Sequence, residues 1–233
     1  MPTEARSHTV PRDDSPELLG PVDEGGDPRL EGDLPRMNPS PLTLRFAPEV
    51  ELTDDLLWKI CAANPELRIE RTAGGNLEIM YPAGGESSRR NGLLTARVVL
   101  WNDGLGADEG VVFDSSAGFT LPNGAERSPD TSWISRDRWL ALTPEQRLVF
   151  APICPDFVAE LRSPSDSKRK LREKMREYLA NGARLGWLID PIDGTVEIYR
   201  PGRGPETLER PERIDGEDVL PGFVLELRGI LFD

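Results

Sequence analysis

The sequence predicts an α/β (α+β) domain in which a mixed central β-sheet is flanked by helices, with an extra hairpin on its N-terminal side. Three observations carry that prediction. Phe157-Val-Ala-Glu-Leu161 reads as a short apolar strand, the run from Asp166 to Ala180 repeats Leu171, Met175, Tyr178 and Leu179 at helical spacing, and Leu185-Gly-Trp-Leu-Ile189 reads as strand again. A strand, a helix of that length and a second strand form a right-handed crossover that lays the two strands side by side. Upstream, Leu67-Arg-Ile-Glu70 and Leu77-Glu-Ile-Met-Tyr81 bracket a Gly74-Gly75-Asn76 turn, the pattern of a hairpin. The third observation is size: 233 residues suffice to bury one real core.

In chain order, residues 1–41 hold eight prolines, nine acidic residues and four arginines. Their few large apolar side chains cannot offset the entropy of ordering them, which predicts a flexible acidic arm. Residues 42–202 then form the domain, and 203–233 an extension packing on it. Thr53 is placed to cap a helix over Asp54 to Ala63, whose apolar side is Leu56, Leu57, Ile60 and Cys61. Gly84-Gly85 ends the hairpin, and Leu93, Ala96, Arg97, Leu100 and Trp101 recur with the spacing of a helix from Glu86 to Asn102. Gly110 to Phe113 and Gly118 to Leu121 read as a second hairpin, and Asp130 to Ile134 as a short strand. Thr143-Pro144-Glu145-Gln146 has Pro at the first helical position and Gln at the third, a capping box that predicts a helical turn. Ser163-Pro-Ser-Asp166 reads as the cap of the crossover helix and Asn181-Gly182 as its terminator. After the Pro191-Ile-Asp-Gly194 turn, Thr195 to Tyr199 is expected as an edge strand, and Phe223 to Leu227 as a last strand beyond a turn-rich stretch.

Composition narrows the chemistry. A formal charge of -13 excludes a protein that holds nucleic acid by overall attraction, although it leaves room for a local basic groove. The charge is unevenly placed: between Lys168 and Glu177 stand Lys168, Arg169, Lys170, Arg172, Lys174 and Arg176 against Glu173 and Glu177 alone. Cys61 and Cys154 are too few for a disulfide scaffold, and no apolar run is long enough to cross a bilayer. The N-terminus shows no basic segment followed by an apolar one, so the cytoplasm is the expected compartment. His8 is the one histidine of the chain, which excludes histidine-assisted hydrolysis and the common zinc sites. Hard chemistry must therefore rest on carboxylates, lysine or cysteine.

Asp130 and Glu160 are the candidates. Each sits at the end of, or within, a short apolar strand, where a lone carboxylate is costly unless a cation or donor compensates it. Side chains two apart on a strand share a face, so Val158, Glu160 and Arg162 are expected on one side and Phe157 on the other. A hard divalent cation such as magnesium takes oxygen ligands with positions left to water and phosphate, and two convergent carboxylates provide that. Arg162 is too basic to accept a proton, whereas Lys174, on the following helix, can reach toward the strand ends. Each residue also has a plainer reading. Asp130 after a proline can hold a turn, Glu160 can pair with Arg162, and the basic run can be a solvated helix face. Trp187 reads as core, Asp190 as a strand-end cap, and Cys154, flanked by Pro152 and Pro155, has no base partner in sequence. Neither double-glycine turn is followed by the Gly-Lys-Ser/Thr of a phosphate-binding loop.

Gly84-Gly-Glu-Ser-Ser-Arg-Arg-Asn91, Phe113-Asp-Ser-Ser-Ala-Gly-Phe119, Leu121-Pro-Asn-Gly-Ala-Glu-Arg-Ser-Pro-Asp130, Cys154-Pro-Asp-Phe-Val-Ala-Glu-Leu-Arg-Ser-Pro-Ser-Asp166 and Asn181-Gly-Ala-Arg-Leu-Gly-Trp-Leu-Ile-Asp190 follow one another in an order that closely resembles the Uma2 family (DUF820). The likeness covers residues 45 to 202. It implies the PD-(D/E)XK superfamily, with a restriction-endonuclease-like core. On that resemblance Asp130 matches the motif aspartate and Glu160 the second acidic ligand, while Arg162 stands where the superfamily has its lysine. Lys174 matches a family lysine followed by Tyr178, and Glu86 or Glu70 is implied as a further carboxylate, Glu86 being placed with Asp130 and Glu160 at the metal.

The activity this implies is a magnesium-dependent endonuclease, with manganese as a substitute, in which Asp130, Glu160, Lys174 and Arg162 act on DNA held in a local basic cleft. A homodimer is expected as the assembly. Two other readings stay open: a catalytically silent module of the same fold that binds nucleic acid or protein, and a carboxylate-metal hydrolase of small phosphate esters.

Overall fold

The computed structural model describes residues 41–47, 49–104 and 109–232; the arm expected over residues 1–41 lies outside them but for its last residue. In chain order the elements are β1 (Leu42–Leu44), α1 (Asp54–Ala63), β2 (Arg68–Arg71), β3 (Leu77–Met80), α2 (Gly85–Gly104), β4 (Gly110–Asp114), β5 (Phe119–Thr120), β6 (Glu126–Arg127), β7 (Thr131–Ser135), α3 (Arg136–Leu140), β8 (Phe157–Leu161), α4 (Lys168–Ala180), β9 (Leu185–Asp190), β10 (Thr195–Tyr199), β11 (Glu206–Glu209), β12 (Arg213–Asp215) and β13 (Val224–Glu226).

The mixed central sheet and the extra N-terminal hairpin expected from the sequence are both present, the hairpin of β2 and β3 being part of a second sheet, and a small ribbon is added. A six-stranded sheet runs in the order β11-β10-β9-β8-β7-β4, and a five-stranded one in the order β1-β3-β2-β6-β5; β12 and β13 pair alone. In the larger sheet β8 and β9 are parallel, with Glu160 level with Leu188, while all its other pairings are antiparallel. The crossover helix α4 packs on those two strands through buried Met175 and Tyr178.

Alternation along β8 divides the interior. Phe157, Ala159 and Leu161 belong to a cluster with Trp187, Ile189 and the α2 residues Leu94 and Val98, whereas Val158 faces the α4 side with Met175, Tyr178 and Leu188. The first cluster also takes in Ile214, Leu220, Leu225, Leu227 and Ile230, so the C-terminal stretch closes the main core. A third, smaller cluster seats α1 on the five-stranded sheet through Leu57, Ile69 and Leu77. Trp187 is fully buried, stacked near Phe223 and edge-on to Phe157, as its core reading requires.

Several local features follow their residues closely. The Thr53 hydroxyl accepts from the Leu56 N–H and caps α1. Thr143 and Gln146 form the reciprocal capping box, the Gln146 side chain accepting from Thr143 N–H and the Thr143 hydroxyl from Gln146 N–H, and one helical turn follows. Three local expectations are corrected. β4 and β5 do not form a hairpin: β4 pairs with β7 in the larger sheet and β5 with β6 in the smaller one. β10 is interior, because the turn-rich stretch supplies β11 as the outer strand. Ser163 to Asp166 does not cap α4: its N-cap is Ser167, without a side-chain bond, and the Asp166 carboxylate instead accepts from the Ser163 N–H and hydroxyl, closing the turn before the helix.

Among the described residues no helix is long and apolar enough to cross a membrane. Both cysteines are free. Burial pushes the Cys154 thiol up to about 12, so it stays protonated and inert.

Candidate active site in the cleft between the sheets

The antiparallel pairing of β7 with β8 sets Thr131 level with Ala159, so the next step of the register brings Asp130 beside Glu160 on the α4 face. The backbone locks this arrangement. Asp130 Oδ2 accepts the Leu161 N–H at 2.8 Å, which turns its other oxygen, Oδ1, toward Arg68 Nη1 at 3.5 Å. Glu160 is buried, and its Oε1 accepts from the Tyr178 hydroxyl at 3.0 Å and meets Lys174 Nζ at 2.9 Å.

The five-stranded sheet contributes the opposite wall. Glu70, buried on β2, accepts Lys174 Nζ at 2.9 Å and the Ser128 N–H at 3.1 Å through Oε1, and Arg127 Nη1 at 3.2 Å through Oε2. Lys174 thus bridges two carboxylates that come from different sheets. Arg127 also reaches Glu78 at 3.2 Å and Glu177 at 2.6 Å. Arg68 completes the cluster, donating to the Ser128 carbonyl oxygen between Asp130 and Glu70.

Charge within this cluster is unequally balanced. Burial alone would raise both buried carboxyls, but Lys174, Arg68 and Arg127 together hold Glu70 down at about 2. For Glu160 burial prevails over Lys174, and the neighbouring Asp130 and Glu70 add to it, so its carboxyl is pushed up to about 7. Lys174 is partly buried, yet Glu160 and Glu70 raise its pKa and keep it an ammonium. It therefore serves as a fixed cation, and the group nearest neutrality is Glu160.

The cleft above these residues has a volume of about 730 Å3. Its lining includes Arg68, Glu70, Asp130, Glu160 and Lys174, together with Ser87, Ser88 and Asn91 from the start of α2. Of the residues singled out from sequence, the fold brings Asp130, Glu160 and Lys174 together, and it sets Arg162 and Glu86 elsewhere. Arg162 lies just past the end of β8 and pairs with Asp190 at 2.8 Å and Asp193 at 3.3 Å. Glu86 is exposed on the first turn of α2, bound by Arg89 and Arg90. The third carboxylate in contact with the cluster is Glu70. Sequence reasoning passed over Arg68 and Arg127; the one signal for Arg68 is that Arg68, Glu70 and Thr72 alternate along the hairpin strand on one face, and Arg127, on β6, had none.

The basic run on α4 is also largely neutralised. Lys168 pairs with Asp190 and Asp193, Arg169 with Glu173, Lys170 with Glu78, Arg172 with Glu197 and Lys174 with Glu70 and Glu160. Eight carboxylates and four cations line the cleft, so its floor is acidic. Among the described residues no three histidine, cysteine or carboxylate groups converge as a ready-made metal cage. Asp130 and Glu160 together form a pair of carboxylates in the lining of the cleft.

Near the cleft, Glu126 on β6 is buried with Thr120 donating to Oε1 at 3.1 Å, while Oε2 has no hydrogen-bond partner. Burial pushes its carboxyl up to about 7. An acid raised in the native state holds a proton that the unfolded chain gives up near its ordinary value of 4.5, so its contribution to stability falls as pH rises from about 4.5 to 7. Glu126→Gln should therefore stabilise the protein most above pH 7 and make no difference below about pH 4.5. Melting temperatures of both proteins across that range check the expectation, and equal differences at pH 5 and pH 8 would contradict it.

Comparison with known proteins adds three findings. A model of the Uma2 family, described as "putative restriction endonuclease", matches residues 54–228. No curated protein matches the chain. A crystal structure of a protein described as a "putative nuclease belonging to DUF820", from Anabaena variabilis ATCC 29413, superposes with a TM-score of 0.63 at 22% sequence identity, covering 78% of this chain and 98% of that one. At that identity the likeness is one of fold.

Proposed function

Since the chain belongs to the Uma2 family, we propose that it is a divalent-cation-dependent endonuclease that hydrolyses DNA phosphodiester bonds by direct attack of water. The observation that carries this reading is the register-locked convergence of Asp130 and Glu160, with Lys174 held 2.9 Å from Glu160. The donor set suits magnesium or manganese. It is all oxygen, it leaves Asp130 Oδ1 without a close hydrogen bond, and Glu160 sits near neutrality because burial leaves it short of positive charge. Asp130 and Glu160 would hold the cation, which when bound polarises the scissile phosphate and acidifies a water.

The chain's own residues do the rest. Leu161 N–H and the Tyr178 hydroxyl fix the two carboxylates, so that their geometry is set before substrate arrives. Lys174, clamped by Glu70, offers an ammonium that cannot swing away and that stabilises charge developing at the phosphate. Arg68 supplies a second cation at the same wall. A homodimer would present two such clefts to the two strands of a duplex.

One observation favours a second reading, a silent module of the same fold: each cleft carboxylate in the cluster already meets a protein cation. The two readings separate in one assay. Plasmid cleavage by the purified full chain should appear with magnesium or manganese and vanish with chelator. Folded protein that neither cuts with any divalent ion nor binds manganese at millimolar concentration would leave only the silent module.

A further inference from the structure

Once the basic run of α4 is traced to its partners, Arg176 is left over. It is exposed and, among the described residues, no carboxylate stands within ion-pair distance of it. It opens on the side of α4 away from the cleft, into a pocket of about 390 Å3 that it shares with the loop Pro201-Gly-Arg-Gly-Pro205. Arg203, at the centre of that loop, is likewise exposed and, among the described residues, without a carboxylate within ion-pair distance. The third arginine of the pocket, Arg200, is held by Glu217 at 2.6 Å and Glu206 at 2.8 Å and so forms a rigid wall. In a chain of net charge -13, this pocket is lined by three arginines and by no acidic residue.

In the loop, Gly202 has a φ of +69°, and a side-chain carbon at Gly204 would meet nothing within 4 Å, so the loop stands open beside the pocket. The last carbonyls of α4, which would repel an anion, are turned to the N–H groups of Asn181, Gly182 and Ala183.

We infer that the pocket between the end of α4 and the 201–205 loop is a phosphate-binding site, in which Arg176 and Arg203 grip an anionic phosphate group from two sides. Its volume lies at the lower end of the ~300–1,000 Å3 range of ligand pockets. Arg is suited to the task because its planar fork matches phosphate oxygens. The phosphate can be that of a free nucleotide or one along a polynucleotide backbone. Only the second source rests on the endonuclease reading, where it would give an acidic cleft an anchor for its polyanionic substrate.

The test uses the full chain with chelator present, so that cleavage plays no part. Pyrophosphate binding is measured by calorimetry and binding of a labelled oligonucleotide duplex by fluorescence anisotropy at several salt concentrations. Wild type should bind pyrophosphate, Arg176→Gln/Arg203→Gln should weaken it at least tenfold, and Asp130→Asn should leave it unchanged. Both arginines are exposed and unpaired, so the double variant should melt with wild type, and circular dichroism verifies this. If duplex binding falls in parallel, with the salt slope reduced by roughly 2, the phosphate is that of the backbone. Loss of pyrophosphate binding alone assigns the site to free phosphates. Wild type that fails to bind pyrophosphate at 10 mM (roughly the weakest affinity of interest,), an unaffected double variant, or an effect of Asp130→Asn would each overturn the proposal. Failure of the endonuclease reading shows separately, in the cleavage assay.

Discussion

Glu160→Gln is expected to lower divalent-dependent cleavage by about 10²–10³-fold while leaving the protein folded, the range seen when one preorganised electrostatic contact is removed from an active site. Gln keeps the length of the side chain and can still accept from the Tyr178 hydroxyl, so the wall of the cleft stands. What is lost is a negative oxygen next to Asp130. The fold should tolerate this well, because the native carboxylate is already costly: burial raises it to about 7 against 4.5 for a free glutamate. The variant should therefore be at least as stable as wild type at pH 8, with much weaker manganese binding. Asp130→Asn should lose activity to a similar degree, since Asp130 supplies the other half of the seat. Full activity in either variant would remove the pair from the mechanism.

Lys174→Met has the largest expected effect on stability. The ammonium is partly buried and holds Glu70 and Glu160 at 2.9 Å each, so its removal leaves two buried carboxylates without the cation they share. Breaking a buried pair by deleting one partner costs about 3–5 kcal/mol. Glu70 retains Arg127 and the Ser128 N–H, which places the loss toward the lower end of that range. Chemical denaturation at pH 8 measures it. Adding Glu160→Gln to Lys174→Met should return a substantial part of the stability, because the orphaned charge is then gone, and a double variant no more stable than the single would show that Lys174 acts by packing alone.

How much of this could be read from residues differs from place to place. The crossover was legible because β8 and β9 are short apolar runs on either side of a helix with an unambiguous buried stripe. The meeting of Asp130 and Glu160 was legible as well, since both stand at strand positions where a charge needs a reason. Arg68 was not, and Glu70 entered only through the family resemblance as an alternative to Glu86, because Arg-Ile-Glu-Arg in a hairpin looks like a strand with one wetted face. That face becomes a cleft wall only when Lys174, 104 residues further on, closes against it. Arg162 was misplaced by extending the twofold alternation one step too far: β8 ends at Leu161, and the guanidinium turns to Asp190 at the end of the neighbouring strand. The misread hairpin at 110–121 has a similar origin. Two short apolar runs close in sequence were paired with each other, whereas each pairs with a strand of a different sheet, and at Gly110 a side chain would run into the Trp133 indole at 2.3 Å as β4 lies against β7.

The two-sidedness of β8 carries a consequence for any regulation of this protein. One face of that strand, through Phe157, Ala159 and Leu161, supports the main hydrophobic interior, and the other carries Glu160 beside Val158. A slip, bulge or local melting of the strand large enough to misalign Glu160 would also expose the oily half of the molecule, so there is no cheap silent conformation on that side. The opposing wall is different, being built from strands of two to four residues that pair through few rungs. An inhibitor, a binding partner or selection itself could adjust the cleft gradually by shifting that thinner wall, whereas the β8 side can only be kept or lost.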